Sequence, residues 1–179
     1  LVLVLFILGL LISPVLFLVR LNYKKKIIKI WSKYILKFLA IKIYTNLDLE
    51  KFTKSKNFLI VCNHVSWLDI ILINSLSPVS FIATKEIKFW PLINILTFAA
   101  NTIFIDRKSL SNLKKINLKI KQALKKNSVC FFPEGRASKG STVLPFKTNL
   151  FESAADGSNQ VLPITIQYYQ NEKPTFICS

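Results

Sequence analysis

Apolar residues fill the chain from Leu1 to Val19, where only Gly9, Ser13 and Pro14 interrupt them. As a helix rising ~1.5 Å per residue, this segment would span roughly 28 Å, about the thickness of the hydrocarbon core of a bilayer. Basic residues follow between positions 20 and 26, and the positive-inside rule places that end in the cytoplasm. The pattern favours a transmembrane helix or half of a membrane-buried hairpin. A signal peptide would need a small-residue cleavage site, and a soluble helix would need a polar face.

The next segment, Asn22–Tyr44, has the spacing of an amphipathic helix. Lysines at three- and four-residue intervals form one charged stripe, and large apolar residues form a broad second face. The stripe contains Lys26, Lys29, Lys33 and Lys37, and the apolar face contains Ile27, Ile30, Trp31, Tyr34, Ile35, Phe38 and Leu39. Such a helix lies among lipid head groups or packs on a domain with its basic side in solvent. The apolar segment before it favours the first alternative.

Beyond residue 57 the pattern alternates between short apolar runs and longer amphipathic stretches. Strands are predicted at Phe58–Cys62, Val79–Thr84, Asn101–Ile105, Val129–Phe132 and Val161–Gln167, and helices at Ser66–Ser75, Pro91–Ala99, Leu110–Lys126 and Lys147–Ala155. This alternation predicts an α/β fold, with a mostly parallel sheet flanked by helices and an N-terminal membrane-associated helical segment before it.

The same pattern suggests two regions. We expect membrane-associated helices over residues 1–44 and a second domain over residues 55–179, with a linker at Thr45–Asn57, where charge and Asn density rise. The chain contains no Met, even at position 1. We therefore expect it to be clipped at both ends, with the second domain truncated at its C-terminus.

The composition combines an apolar chain with a large positive charge. Hydrophobic residues make up 51% of the chain, and its formal net charge is +16. Together these values predict a partner with an anionic surface, such as a membrane, a phosphate-bearing substrate or an acidic carrier protein. The apolar N-terminus argues against nucleic acid. Because only Arg20, Arg107 and Arg136 are arginines, each is a candidate for bidentate phosphate binding.

Several chemistries have little support. The cysteine count is three, and no two cysteines form a CxxC pair. Cys62 and Cys130 lie in apolar runs and are predicted to be buried thiols. A nucleophilic Cys62–His64 pair is disfavoured because apolar surroundings raise a thiol pKa. One histidine and scattered acids predict no metal site. No GxSxG elbow or Walker loop is present, and four glycines in the whole chain leave no GxGxxG motif.

The single histidine, His64, lies two residues after the end of the predicted strand Phe58–Cys62 and five residues before Asp69. An unperturbed imidazole titrates near pH ~6.5 and can take up and return a proton. A buried Asp can orient that imidazole and stabilise its charged form. Asp69 can fold back on His64 if the helix starts at about Ser66. The alternative is structural, because Ser66 to Asp69 also matches a capping box in which Asp69 serves the first helical turn.

Two further clusters favour catalysis. Each lies at the end of a predicted strand: Phe132-Pro133-Glu134-Gly135-Arg136 and Phe104-Ile105-Asp106-Arg107. Ligands of open α/β sheets bind at the carboxyl ends of the strands. Gly permits close backbone approach to a ligand, and Arg can clamp a phosphate. For either arginine the alternative is an ordinary surface ion pair, which contributes little.

These motifs resemble those of the glycerophospholipid acyltransferase family, of the 1-acylglycerol-3-phosphate acyltransferase type. In order they are Asn-His-x4-Asp at 63–69, Phe-Ile-Asp-Arg at 104–107, Phe-Pro-Glu-Gly at 132–135 and Val-Leu-Pro-Ile at 161–164. The segments Lys85-Glu86-Ile87 and Pro145-Phe146-Lys147 are also similar to the family. The resemblance spans residues 55 to 170. The chain departs from the family after Gly135, where Arg-Ala-Ser replaces the frequent Thr-Arg-Ser, and at Asn94 and Asn149, where glycine is common.

The resemblance implies that His64 is the general base and Asp69 its orienting partner. It implies no metal, and it implies a substrate-binding set that contains Asn63, Ser66, Lys85, Arg107, Glu134, Gly135 and Arg136. The implied reaction needs no cofactor beyond the acyl donor.

The resemblance implies an acyltransferase catalytic domain at residues 55–179 that acts in phospholipid biosynthesis. A fatty acyl group would pass from acyl-CoA or acyl carrier protein to 1-acylglycerol-3-phosphate and form phosphatidic acid. Expected partners are membrane lipids and the lysophospholipid acceptor, at the cytoplasmic face of the inner (plasma) membrane. Two alternatives stay open: a lyso-ornithine lipid O-acyltransferase, and a non-catalytic lipid-binding protein that uses the basic helix at Asn22–Tyr44.

Overall fold

The structure, a computed structural model, describes residues 7, 11, 20–86, 102–105, 113–155, 157, 159–171 and 173–175. Contacts divide the chain into two compact units. The first unit holds the described parts of Leu1–Lys56 and Ile70–Arg107, and the second holds those of Asn57–Asp69 and Lys108–Ser179.

The described elements follow one another in a largely alternating order. The helices are α1 (Leu21–Phe38), α2 (Leu49–Ser55), α3 (Leu68–Leu76), α4 (Leu113–Leu124) and a 3-10 helix, η1 (Thr148–Ser153); the strands are β1 (Phe58–Cys62), β2 (Ser80–Thr84), β3 (Ile103–Ile105), β4 (Val129–Phe131), β5 (Gln160–Ile164), β6 (Tyr168–Gln170) and β7 (Lys173–Thr175).

Parallel pairing dominates both units. In the second unit β1 lies between β4 and β5 and is parallel to both, with Ile60 opposite Cys130 and Leu162. The second unit also contains the antiparallel hairpin of β6 and β7. In the first unit β2 and β3 are parallel. Every residue of β1 is buried, as expected for a strand covered on both faces, which reads as a continuous apolar run. The predicted α/β class with a mostly parallel sheet is confirmed.

Two predicted elements near the C-terminus differ from the structure. The segment Lys147–Ala155 is not an α-helix but a 3-10 helix over Thr148–Ser153. The last predicted strand, Val161–Gln167, is shifted and shorter, at Gln160–Ile164. Within β5, Pro163 pairs opposite Val61 of β1. Proline has no N–H to donate, and β5 has one pairing partner among the described strands, so this position tolerates proline.

Helix α1 ends at Phe38, six residues before the predicted end at Tyr44. The cause is a Schellman motif: the N–H of Ala40 donates to Lys37 O at 3.1 Å, and the N–H of Ile41 donates to Leu36 O at 2.9 Å. Ala40 adopts the left-handed conformation, with φ of 54°. Ile41 then packs against the buried cluster of the first unit, which contains Ile35, Leu36 and Ile71.

The segment interpreted as a linker carries helix α2. Asp48 is its N-cap, and its side chain accepts a hydrogen bond from Lys51 N at 3.0 Å. Glu50 forms ion pairs with Lys29 of α1 and Lys54 of α2. Hydrogen bonds from these two lysines lower the pKa of the Glu50 carboxyl. Because Lys29 is paired, the lysine stripe predicted for α1 is reduced to its exposed members.

No helix within the described residues is long and apolar enough to cross a membrane. The predicted membrane segment Leu1–Val19 and the predicted helix Pro91–Ala99 lie outside the described residues, apart from Ile7 and Leu11, which are in helical conformation and exposed. The proposed division into residues 1–44 and 55–179 stays a prediction.

Replacing Ala40 with Gly is expected to stabilise the protein by about 0.5–1 kcal/mol, because Gly adopts the left-handed conformation without the steric cost of a Cβ. Chemical unfolding followed by circular dichroism measures the change. Ala123→Gly is the matched control. Ala123 lies in α4 with helical geometry, so the same substitution there should destabilise by roughly 0.5–1 kcal/mol. A destabilising Ala40→Gly would contradict the assignment of this helix end.

Candidate active site

The residues of the candidate site follow the carboxyl ends of three neighbouring parallel strands in the second unit. Asn63 and His64 follow β1, Phe132 to Ser138 follow β4, and Ile166 to Tyr168 follow β5. Because β1 lies between β4 and β5, the three connecting segments meet above one edge of the sheet. This is the position at which open parallel sheets bind their ligands.

His64 and Asp69 are in direct contact. The Nδ1 atom of His64 lies 2.8 Å from Asp69 Oδ2. The His64 side chain is 18% exposed, whereas the Asp69 side chain is fully buried. An ionised carboxylate can only accept, so Nδ1 carries the proton and Nε2 holds the free lone pair. Within the described part of the chain, Nε2 has no hydrogen-bond partner. The arrangement presents a basic nitrogen whose protonated form is stabilised by a buried negative charge.

The same carboxylate also caps the start of α3. Asp69 Oδ2 accepts hydrogen bonds from the backbone N–H groups of Val65, at 2.7 Å, and Ser66, at 3.0 Å. The Ser66 hydroxyl accepts from Leu68 N at 3.3 Å. The two sequence interpretations of Asp69, catalytic partner and capping residue, are therefore both realised by one side chain. The cap fixes the carboxylate and so fixes the imidazole.

The loop after β4 holds the histidine from two sides. The ring of Phe132 stacks on the imidazole with a centroid distance of 4.0 Å and an angle of 14° between the planes. Glu134 Oε1 accepts from His64 N at 3.0 Å, and Ser138 N donates to His64 O at 2.8 Å. Both backbone groups of His64 are thereby fixed by a segment that is about 70 residues away in sequence.

Glu134 is buried, with 4% of its surface exposed. Its second oxygen, Oε2, accepts from Leu144 N at 3.0 Å. The carboxylate therefore links the backbone at His64 to the chain that returns toward η1. Its predicted role in substrate binding stays a prediction, and the contacts give it a structural role as well.

Gly135 has φ of 71°, in the region that favours glycine. A Cβ on this residue would lie 2.9 Å from Lys147 Nζ. Lys147 is itself fixed at its backbone, where its N–H donates to Pro133 O at 2.9 Å. The glycine thus leaves room for a lysine ammonium group beside the loop that holds His64. No role was predicted for Lys147, although it lies in a segment similar to the family.

Asn63 uses its side chain to hold the segment after β5. Its Nδ2 donates to Ile166 O at 2.9 Å, and its Oδ1 accepts from Ile166 N at 2.8 Å. The amide imitates one residue of a paired strand, so its main observed contact is structural. Substrate binding by Asn63 stays a prediction.

Sequence reasoning missed Tyr168. Its hydroxyl donates to Asp69 Oδ1 at 2.6 Å. Burial, together with this hydrogen bond and the nearby Asp69 charge, raises the pKa of the Tyr168 phenol, so it remains protonated and can donate. The two residues are 99 positions apart, and no local motif indicates such a contact.

The thiols confirm the prediction of buried cysteines. Cys62 and Cys130 are free and buried, and burial raises the pKa of both, with nearby negative charge adding to it. Cys62 Sγ donates to Asn63 Oδ1 at 3.7 Å. A protonated, buried thiol is a poor nucleophile, which disfavours a Cys62–His64 pair.

The other predicted binding residues differ in position. Ser66 is buried at the start of α3, and Arg136 is exposed on the loop after Gly135. Lys85 follows β2 in the first unit, where it is exposed. Arg107 lies outside the described residues, as does the third cysteine, Cys178.

Comparison with known proteins agrees with this geometry. The family model for acyltransferases matches residues 45–167, and the chain belongs to that family. A 1-acyl-sn-glycerol-3-phosphate acyltransferase of Neisseria gonorrhoeae is 44% identical over 112 residues, which cover 62% of this chain and 44% of the relative. A lyso-ornithine lipid O-acyltransferase of Pseudomonas aeruginosa is 35% identical, over 64% of this chain and 44% of that protein. This chain therefore spans less than half of the length of either relative.

A solved structure is also similar. The 1-acyl-sn-glycerophosphate acyltransferase of Thermotoga maritima superposes with a TM-score of 0.65 at 26% identity, over 90% of this chain and 72% of that one. The likeness agrees with the α/β fold and the parallel strand pairing described above.

Replacing Glu134 with Gln is expected to destabilise the protein by about 1–3 kcal/mol, because an amide has one acceptor oxygen and leaves one of two buried N–H groups unpaired. Equilibrium unfolding measures this change. Glu152→Gln is the control: its Oε2 accepts from Asn117 Nδ2 at 2.8 Å, and a Gln oxygen can still accept there. Equal stability losses in the two variants would show that the two contacts of Glu134 contribute little.

Proposed function

We propose that the protein is an O-acyltransferase that moves a fatty acyl group from an acyl thioester to the free hydroxyl of 1-acylglycerol-3-phosphate. The observation that carries the proposal is the contact between His64 Nδ1 and the buried Asp69 carboxylate, at 2.8 Å. It leaves Nε2 as a base in a chain that belongs to the acyltransferase family.

In the proposed reaction the acyl group passes directly from the thioester to the acceptor hydroxyl, without an acyl-enzyme intermediate. His64 Nε2 removes the proton from the acceptor hydroxyl as the oxygen attacks the thioester carbonyl. The C–S bond of the tetrahedral intermediate then breaks, and the leaving thiolate takes the proton from the imidazolium. Asp69 stabilises that imidazolium throughout. The products are a diacyl lipid and a free thiol, and the donor is acyl-CoA or acyl carrier protein, used as a substrate with no further cofactor.

The head group of the acceptor would meet a cationic loop. The Lys147 ammonium group lies beside Gly135, on the loop whose Glu134 contacts His64, and Arg136 is exposed next to it. Lysine binds phosphate as a compact point charge. Similarity to the Neisseria relative supports a phosphate-bearing acceptor. The similarity to the Pseudomonas relative supports lyso-ornithine lipid as the second candidate acceptor.

Membrane attachment is part of the proposal, and α1 supports it. Tyr23, Ile30, Tyr34 and Phe38 are exposed on this helix, at 64%, 45%, 52% and 45% of their surface. Their spacing of seven and four residues places them on one face, and Ile35 belongs to the buried side. Exposed lysines border that face, as in helices that lie at a bilayer interface. The cytoplasmic side of the inner membrane, where anionic lipids attract basic segments, fits the charge of +16.

The function is tested by transfer of a labelled acyl group in mixed vesicles, with acyl-CoA and acyl carrier protein as donors and both candidate lipids as acceptors. His64→Ala is expected to lower the rate at least about 100-fold, because it removes the general base. Vesicle binding of the variant should equal that of the wild type, and its circular dichroism spectrum should show the same folded state. Wild-type turnover on lyso-ornithine lipid alone would select the second acceptor. Unchanged transfer by His64→Ala would overturn the proposed mechanism.

Replacing Lys147 with Gln is expected to raise the KM for 1-acylglycerol-3-phosphate roughly 10-fold, because one charge-assisted contact to phosphate is lost. Initial-rate kinetics on both acceptors measure the effect, which should be smaller for a head group without phosphate. Lys139→Gln is the control, since it removes the same charge from another exposed position in the segment between β4 and η1. Equal KM values in the two variants would mean that the loop acts through general positive charge alone.

A further inference from the structure

The Asp69 carboxylate is fully buried, and both of its oxygens accept hydrogen bonds. Oδ2 accepts from His64 Nδ1 and from two backbone N–H groups. Oδ1 accepts from the Tyr168 hydroxyl, its one donor among the described residues. A buried carboxylate oxygen without a hydrogen-bond donor has lost its solvation and gained nothing in return, so this contact matters for the state of Asp69.

We propose that Tyr168 is a positioning residue for the acyl-transfer reaction, which sets the orientation and effective charge of Asp69 and through it the basicity of His64. The catalytic consequence rests on the proposed function, whereas the contacts of Asp69 with Tyr168 and His64 do not depend on it. Tyr168 does not touch the proposed reacting atoms.

Two features keep Tyr168 in place. The ring is half-buried at the start of β6, and the chain just before it is held by the two hydrogen bonds between Asn63 and Ile166. Asn63 in turn precedes His64 directly. Asn63 therefore holds the segment from which Tyr168 reaches Asp69. The contacts of the imidazole with Asp69, of Asp69 with Tyr168, and of Asn63 with the chain before Tyr168 support one another.

The direction of the effect follows from the orientation of the hydroxyl. Its hydrogen points at Oδ1, so the positive end of the O–H dipole partly compensates the carboxylate charge that His64 experiences. Without the hydroxyl, the imidazolium meets a less compensated negative charge and is held more tightly. Removal of the hydroxyl is therefore expected to raise the pH at which the His64 imidazolium loses its proton.

Two other titratable groups lie near the pair. Glu134 holds the His64 backbone with one carboxylate oxygen, and burial raises the pKa of the Cys62 thiol, which keeps it neutral. Among the described contacts, the Tyr168 hydroxyl is hydrogen-bonded to Asp69 and to neither of these groups. A change in the titration of His64 in Tyr168→Phe can therefore be assigned to the lost hydrogen bond.

The test uses the fact that the chain has one histidine. In the full chain without a histidine tag, incorporated in lipid nanodiscs, isotope-labelled histidine gives one imidazole signal in NMR spectra. Tyr168→Phe is expected to move its titration midpoint upward by about half to one pH unit. The acidic limb of the kcat/KM profile should move with it, and kcat at neutral pH should fall. Tyr169→Phe, at an exposed neighbouring position, is the matched control and should change neither.

An unchanged midpoint in folded Tyr168→Phe would overturn the inference, whatever the activity. The NMR titration needs no substrate, so it also separates this inference from the proposed function. If Tyr168→Phe does not fold, 3-fluorotyrosine replaces all five tyrosines in the wild-type chain. The fluorinated phenol is a stronger donor, and the midpoint should then move downward. A midpoint that stays in place would overturn the inference.

Discussion

The buried negative charge of Asp69 is the constraint on which the site depends. A carboxylate removed from water must be compensated by donors, and here four hydrogen bonds come from His64, Val65, Ser66 and Tyr168. Each of these donors is thereby held in a defined place. The cap of α3, the orientation of the imidazole and the docking of the chain after β5 are consequences of one buried charge.

The parallel sheet explains why these groups can meet at all. β1 has β4 and β5 as its parallel neighbours, so the segments that leave the three strands begin side by side. Glu134 and Ser138 from one segment fix the backbone of His64, and Asn63 fixes the next segment through Ile166. The strands supply rigidity, and the side chains after them supply chemistry.

The sequence predicted the parts of this arrangement that have a local pattern. The five apolar residues of β1 gave its bounds directly, and the spacing from His64 to Asp69 placed the pair because the helix was expected to start near Ser66. Contacts between distant segments leave no such pattern. Tyr168 is 99 residues from Asp69, and a tyrosine after a strand has the pattern of an ordinary half-buried aromatic residue.

The wrong end predicted for α1 has an equally physical cause. Apolar and basic spacing continues past Phe38, but Ala40 takes a left-handed conformation and ends α1 because Ile41 packs back on Leu36 and Ile35. Tertiary packing outweighs helix propensity here. At Glu134 and Asn63 the substrate-binding role implied by the resemblance stays a prediction, and the contacts show that both side chains also bind backbone groups. A motif residue can therefore serve the reaction by holding the base, since a proton acceptor acts only from a fixed position.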